Sequence, residues 1–198
     1  MHALTFRRAD LDEPGAPGDL DRIMAMETAG FAPANRESRA VYAQRIDAFA
    51  DGALIAMLGE HVVGCFFSEI WRTTDDLCAE HFRLGHDIGE RHDAVRGDEL
   101  YISSLTLDPD WRGRGLGSAL FAGGIAHVAR AHPPLRSALL LVNAGWQHAR
   151  RIYLAQGFRE IARFPAFFAA GEDGIVMRRA ITWHAFADER TPQGATSR

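Results

Sequence analysis

The sequence lacks most of the features that mark specialised protein classes. It has two cysteines in 198 residues, Cys65 and Cys78, and no CxxC pair. A disulfide framework is therefore excluded, and Cys65, inside the apolar run VVGCFF, reads as a small buried hydrophobe. Two scattered thiols fit a reducing compartment, so the expected location is cytoplasmic. The opening MHALTFRRAD has no apolar core of a secretory signal. The longest strongly apolar run, 138–142, is far too short to cross a bilayer, and no membrane partner is expected. Basic residues are not in surplus: 22 Lys plus Arg stand against 26 Asp plus Glu, a net charge of -4. Proteins that displace counterions from nucleic acid need the opposite balance, so no nucleic-acid partner is expected. Internal repeats and a clear linker are missing too.

What remains is enough for one ordinary core. At 198 residues and 47% hydrophobic composition, residues 1–183 read as a single α/β domain. The polar tail 184–198 is expected to be disordered. Strands are expected over 3–9, 53–58, 61–71, 100–107, 137–142, 159–164 and 175–183, with Gly59-Glu60 as a hairpin turn. Helices are expected over 20–29, capped by Asp19, and over 36–49, 118–131 and 148–156, the last ending at Gly157. A turn-rich stretch, DEPGAPGD, precedes the first helix. Residues 72–98 break the pattern as a charged insertion with one short helix. The order β-α-α-β-β-insertion-β-α-β-α-β-β implies a mixed, mostly antiparallel sheet with helices on both faces.

Chemistry concentrates in LTLDPDWRGRGLGSALFA, residues 105–122. A buried strand ends, a loop delivers Arg112, Gly113, Arg114, Gly115, Leu116 and Gly117, and an amphipathic helix begins at Ser118. The first turn of a helix has backbone N–H groups without internal partners, and the helix dipole adds positive charge there. Glycines let the backbone approach a ligand and adopt otherwise costly dihedrals. The loop thus suits a phosphate or diphosphate; a tight turn without a ligand is the competing reading. Arg112 and Arg114 either add cationic donors or stand as solvated charges. A P-loop would end Gly-Lys-Ser/Thr, and this one ends Gly117-Ser118 without lysine. A dinucleotide fold places its glycines after the first strand of a βαβ unit, and here they follow an antiparallel meander.

The segment resembles the acyl-CoA signature of the GCN5-related N-acetyltransferase (GNAT) superfamily, (Arg or Gln)-x-x-Gly-x-(Gly or Ala), met by Arg112, Gly115 and Gly117. A second motif, from Ala149 through Tyr153 to Gly157-Phe158, has that family's spacing. The resemblance implies acetyl-CoA as cosubstrate, lying between two splayed parallel strands, here 100–107 and 137–142. Main chain around Leu105, Thr106 and Leu107 would bond the pantetheine arm and polarise the thioester carbonyl. Amides of Gly113 to Ser118 would hold the pyrophosphate. A neutral amine, on a small molecule or peptide, would attack directly, with Tyr153 as general acid toward the leaving thiolate.

Two departures from the family pattern stand out. Trp146 occupies the place of a CoA-contacting asparagine seven residues before the tyrosine; either Asn143 takes over or the contact is lost. Tyr101 occupies the place of a strand glutamate that serves as base in some members, and a tyrosine of ordinary pKa about 10 is a poor base at neutral pH. The base stays open among Glu99 acting through water, relays by Ser103 or Ser104, and His81, His86, Glu90 and His92 of the insertion. Cys78, His81, His86 and His92 include zinc-type ligands but match no paired spacing, so no metal is expected. The insertion is expected to cap the acceptor entrance. Alternatives to the transferase are a catalytically reduced acyl-CoA sensor and an acyltransferase with another acyl chain or nucleophile. A homodimer is compatible with the sequence, which does not specify oligomeric state.

Overall fold

A computed structural model describes residues 3–11 and 18–182. The turn-rich stretch at 12–17 and the polar tail lie outside the described residues. Seven strands form one sheet in the order β1-β2-β3-β4-β5-β7-β6. They are β1 (Leu4–Arg8), β2 (Ala53–Leu58), β3 (His61–Trp71), β4 (Glu99–Leu107), β5 (Ser137–Asn143), β6 (Arg159–Ala169) and β7 (Glu172–Ala180). Every neighbouring pair is antiparallel except β4 and β5. That parallel pair needs a crossover, which the helix α3 (Leu116–Ala131) supplies.

Side chains alternate across β2 and β3, and each face has its own helices. Leu54, Val63 and Phe66 pack with Leu120, Phe121, Ile125 and Val128 of α3 and with Ile152 of α4 (Gln147–Ala155). Ile55, Cys65 and Phe67 point the other way, onto Ile23 and Met26 of α1 (Asp19–Gly30) and Tyr42 and Ile46 of α2 (Arg39–Ala48). Burial of each such large apolar side chain is worth roughly 1.5–3 kcal/mol. Cys65 is buried and carries a free thiol, which burial pushes up to about 12. Among the described residues no helix is long and apolar enough to cross a membrane.

Several boundaries differ from the sequence expectation for physical reasons. Gly18, not Asp19, caps α1; Asp19 lies inside the helix, fully buried, ion-paired to Arg7 and accepting from the Asp10 amide at 2.9 Å. Tertiary pairing has claimed the carboxylate that local capping would have used. α2 starts three residues late because Pro33–Asn35 forms a separate 3-10 turn and Ser38 caps the helix. β6 continues past Phe164 to Ala169, with its pairing to β7 broken between those residues. Pro165 sits in that break, where it loses no ladder bond, beside Ala166 at a φ of 52°. The insertion has two 3-10 turns, Ala79–Phe82 and Ile88–Glu90.

Candidate active site

The site begins with a fault in β4. Phe67 faces Ser104 and Ser68 faces Ile102, so Ser103 has no opposite residue on β3. An extra residue bends and twists its strand. Beyond the bulge β4 leaves β5: parallel pairing runs from Glu99↔Ser137 to Ile102↔Leu140 and stops there, while β5 stays paired to β7 through Asn143. The edge of residues 103–107 that would face β5 has no strand partner. It borders a groove of about 880 Å³.

At one end the groove meets the start of α3. Gly113 and Gly115 have φ of 74° and 76°, the left-handed region that L side chains enter only at a cost. Gly115 is the N-cap, no side chain caps the helix, and no acidic residue lies in its first turn. Gly113, Gly115, Leu116, Gly117 and Ser118 all border the groove, so the unpaired amides of the first turn face it. Arg112 borders it too and pins the loop by donating to the Leu107 carbonyl at 3.1 Å. Arg114 is turned elsewhere: its guanidinium lies 4.8 Å from the Trp111 ring centroid and donates to the Asp110 carbonyl.

Leu105, Thr106, Leu107 and Tyr153 line the middle of the groove. Tyr153 is half-buried on α4 against Phe121, at 4.7 Å between ring centroids. Burial pushes its hydroxyl up to about 12, so it holds its proton. That suits a donor to a thiolate.

Two expected residues lie off the groove. Glu99, at the unsplayed end of β4, is 1% exposed; it accepts from Ser137 at 2.7 Å and pairs with Arg178 Nε at 2.7 Å. Its carboxylate links β4, β5 and β7 through Ser137 and Arg178 and does not border the groove. Asn143 accepts from the Gly145 amide at 2.8 Å and donates to Glu172 at 2.9 Å, shaping the β5–α4 turn. Of the insertion's histidines, His81 accepts weakly from the Cys78 amide and His92 from the Ile70 amide. Only His86 borders the groove. Glu90 is tied to Arg83 at 2.6 Å. Among the described residues no group of three or more His, Cys, Asp or Glu side chains is arranged to hold a metal ion.

The far end contains acids that the linear sequence did not single out. Glu27, on α1, borders the groove at 2% exposure. It accepts from the Tyr42 hydroxyl and the Glu37 amide, both at 2.8 Å, and the Tyr42 oxygen in turn accepts from the Ser104 hydroxyl at 3.1 Å. Burial outweighs these bonds and raises the Glu27 carboxyl above its ordinary value. Behind it, Arg45 binds Glu37 at 3.0 Å and lies 3.5 Å from Glu69. Glu69 also accepts from Trp71 and bonds His86, both at 2.8 Å. Burial disfavours a charged His86, yet the bond and charge of Glu69 outweigh it and raise its pKa. Phe82, Arg83, Leu84 and His86 of the insertion line the groove. The groove is therefore bordered by the unpaired first turn of α3, a strand edge open to pairing, a phenol that holds its proton and a buried carboxyl.

The Acetyltransferase (GNAT) family model matches residues 20–158. No curated protein sequence is similar enough to match the chain. Among solved structures it is similar to Ard1 from Thermoplasma volcanium, with a TM-score of 0.65 at 17% identity over 91% of this chain and 99% of that one. It is similar to NAA60 from Arabidopsis thaliana in complex with acetyl-CoA, with a TM-score of 0.60 at 22% identity over 90% and 100%. The loading GNATL domain of CurA from Lyngbya majuscula gives a TM-score of 0.70 at 12% identity over 89% and 97%. At such identities the structural likeness speaks for the fold.

Proposed function

This chain belongs to the acetyltransferase (GNAT) family, and on that premise we propose that it is an N-acetyltransferase that moves the acetyl group of acetyl-CoA onto a primary amine. The observation that carries the reading is the continuity of the splayed β4 edge with the amide cradle at the start of α3. A pantetheine arm has amides that complete the unpaired strand edge, and its diphosphate matches the unpaired N–H groups and partial positive charge beyond it. The Ser103 hydroxyl, buried without a protein partner, supplies one more group for a bound ligand at the bulge.

In this reading the neutral amine nitrogen attacks the thioester carbonyl carbon. Main-chain N–H groups near Leu105 to Leu107 stabilise the oxygen that gains charge, a contribution on the order of 3 kcal/mol. The nitrogen's surplus proton passes to Glu27, directly or along Tyr42 and Ser104, whose oxygens are linked at 2.8 and 3.1 Å. As the carbon–sulfur bond breaks, Tyr153 gives its proton to the sulfur. Glu99, Arg114 and Asn143 have no part in these steps. A free-thiol release assay with acetyl-CoA and a panel of amines tests the proposal: amine-dependent release supports it. Micromolar acetyl-CoA binding with no release on any amine contradicts it and favours a sensor.

A further inference from the structure

We propose that the acceptor is a primary amine held one or two carbons from an aromatic ring. The inference rests on the transferase reading above and names the occupant of the groove's far end. That end is walled by rings. Phe31, at the close of α1, lies 5.6 Å from Trp146 at the start of α4, and Trp146 lies 5.5 Å from Phe168 on β6. Phe168 meets Phe167 at 5.0 Å, and Phe82 of the insertion meets Tyr101 at 5.6 Å in the same aromatic cluster as Phe167. All six border the groove. Two of these contacts join elements far apart in the chain, so α1, α4 and β6 enclose one apolar chamber beside the β4 bulge. Aromatic walls of this kind favour an aromatic guest through burial and ring–ring contact.

The charges narrow the class further. Glu37 and Glu69 are compensated internally by Arg45 and His86, and Arg83 is bound to Glu80 and Glu90. Glu27 is the groove-lining acid with no ion pair among the described residues, and it accepts only from Tyr42 and the Glu37 amide. One buried acid in an aromatic wall matches one amine on an apolar body. A polyamine would bring several charges to a chamber with one acid free for them. An acceptor bearing a carboxylate or phosphate near the ring would have to compete with Glu80 and Glu90 for Arg83, the insertion's cation on the groove.

The purified full chain, at saturating acetyl-CoA, is assayed for thiol release with phenethylamine, tryptamine, butylamine and spermidine. Two tripeptides, Phe-Ala-Ala and Ala-Ala-Ala, complete the panel. The chain contains no lysine, its 22 Lys-plus-Arg positions all being arginine, so no side-chain amine of the enzyme competes. The expected result is kcat/KM at least about tenfold higher for ring-bearing acceptors than for their ring-free counterparts. Phe-Ala-Ala above both arylalkylamines makes the source a peptide N-terminus; the reverse order makes it a free small amine. Phe168→Ala, on an accessible strand, should raise the KM of the ring-bearing acceptor while leaving that of acetyl-CoA unchanged. Butylamine or spermidine matching the aromatic acceptors overturns the proposal, as does a Phe168→Ala effect confined to acetyl-CoA. Calorimetry with acetyl-CoA separates the failures: binding without ring preference sinks the acceptor class alone, and no binding sinks the parent reading.

Discussion

The Tyr42 hydroxyl donates to the Glu27 carboxylate at 2.8 Å, and this bond joins a buried acid on α1 to the helix α2, which in turn contacts the strand whose bulge opens the groove. The two side chains come from different helices, and the hydroxyl's second contact, to Ser104, fixes where the acid stands relative to β4. A proton acceptor is thereby brought to the open strand edge without any acidic residue on the splayed part of that strand.

If Glu27 takes the proton, its ionised form is the active one. Burial raises its pKa, so the rate should fall as pH drops through a value above the ordinary glutamate pKa of about 4.3. Glu27→Gln should lower kcat by about 10²–10⁴-fold and abolish that acidic limb. A pH–rate profile of the variant that keeps the limb assigns it to another group.

Tyr153 should donate its proton throughout the neutral and mildly alkaline range, since its hydroxyl is pushed up to about 12. Tyr153→Phe should reduce kcat by about 10²-fold with little change in the KM for acetyl-CoA. The wild-type rate should show no decline between about pH 8 and 10 from this group, whose acidic form persists there. Stopped-flow thiol release across that range checks both statements.

His86 ties the insertion to the core through Glu69, with Arg45 on the same carboxylate. Its folded pKa is raised. The stabilisation from its charge is therefore fully present below the unfolded value of about 6.5 and is lost as pH rises through the folded value. The stability gap between wild type and His86→Ala should be larger at pH 6 than at pH 9 by on the order of 1 kcal/mol. Urea titrations at the two pH values measure it; a gap that widens with pH refutes the assignment.

Glu99 should behave as a structural residue. Its partner Arg178 is itself mostly buried, and removing one member of such a pair costs about 3–5 kcal/mol. Glu99→Ala should lose stability of that order, while its folded fraction keeps the wild-type pH profile. A folded Glu99→Gln protein with a collapsed kcat would restore Glu99 as the base.

Much of this was readable in the chain. The hairpin β2–β3 carries its own signals, a β-branched and apolar run on either side of Gly59-Glu60, and it forms over 53–58 and 61–71 as expected. The loop ahead of α3 and the Tyr153 to Phe158 segment are local motifs and were likewise legible. Glu27 and Glu69 were not, because a carboxylate's role depends on partners distant in sequence: Tyr42 and Ser104 for one, His86 and Arg45 for the other. The buried setting of Glu99 was not legible for the same reason, its partner Arg178 lying 79 residues away. The bulge at Ser103 has no residue signature, since a register shift belongs to two strands at once.

The most direct test compares calorimetric titrations of the ligand-free chain with acetyl-CoA and with acetyl-pantetheine, which keeps the amides and thioester but has no diphosphate. Acetyl-CoA should bind with micromolar affinity and acetyl-pantetheine at least about tenfold more weakly, a difference of about 1.4 kcal/mol for the contacts made by the start of α3. Equal affinities, or no heat with acetyl-CoA, would contradict the account.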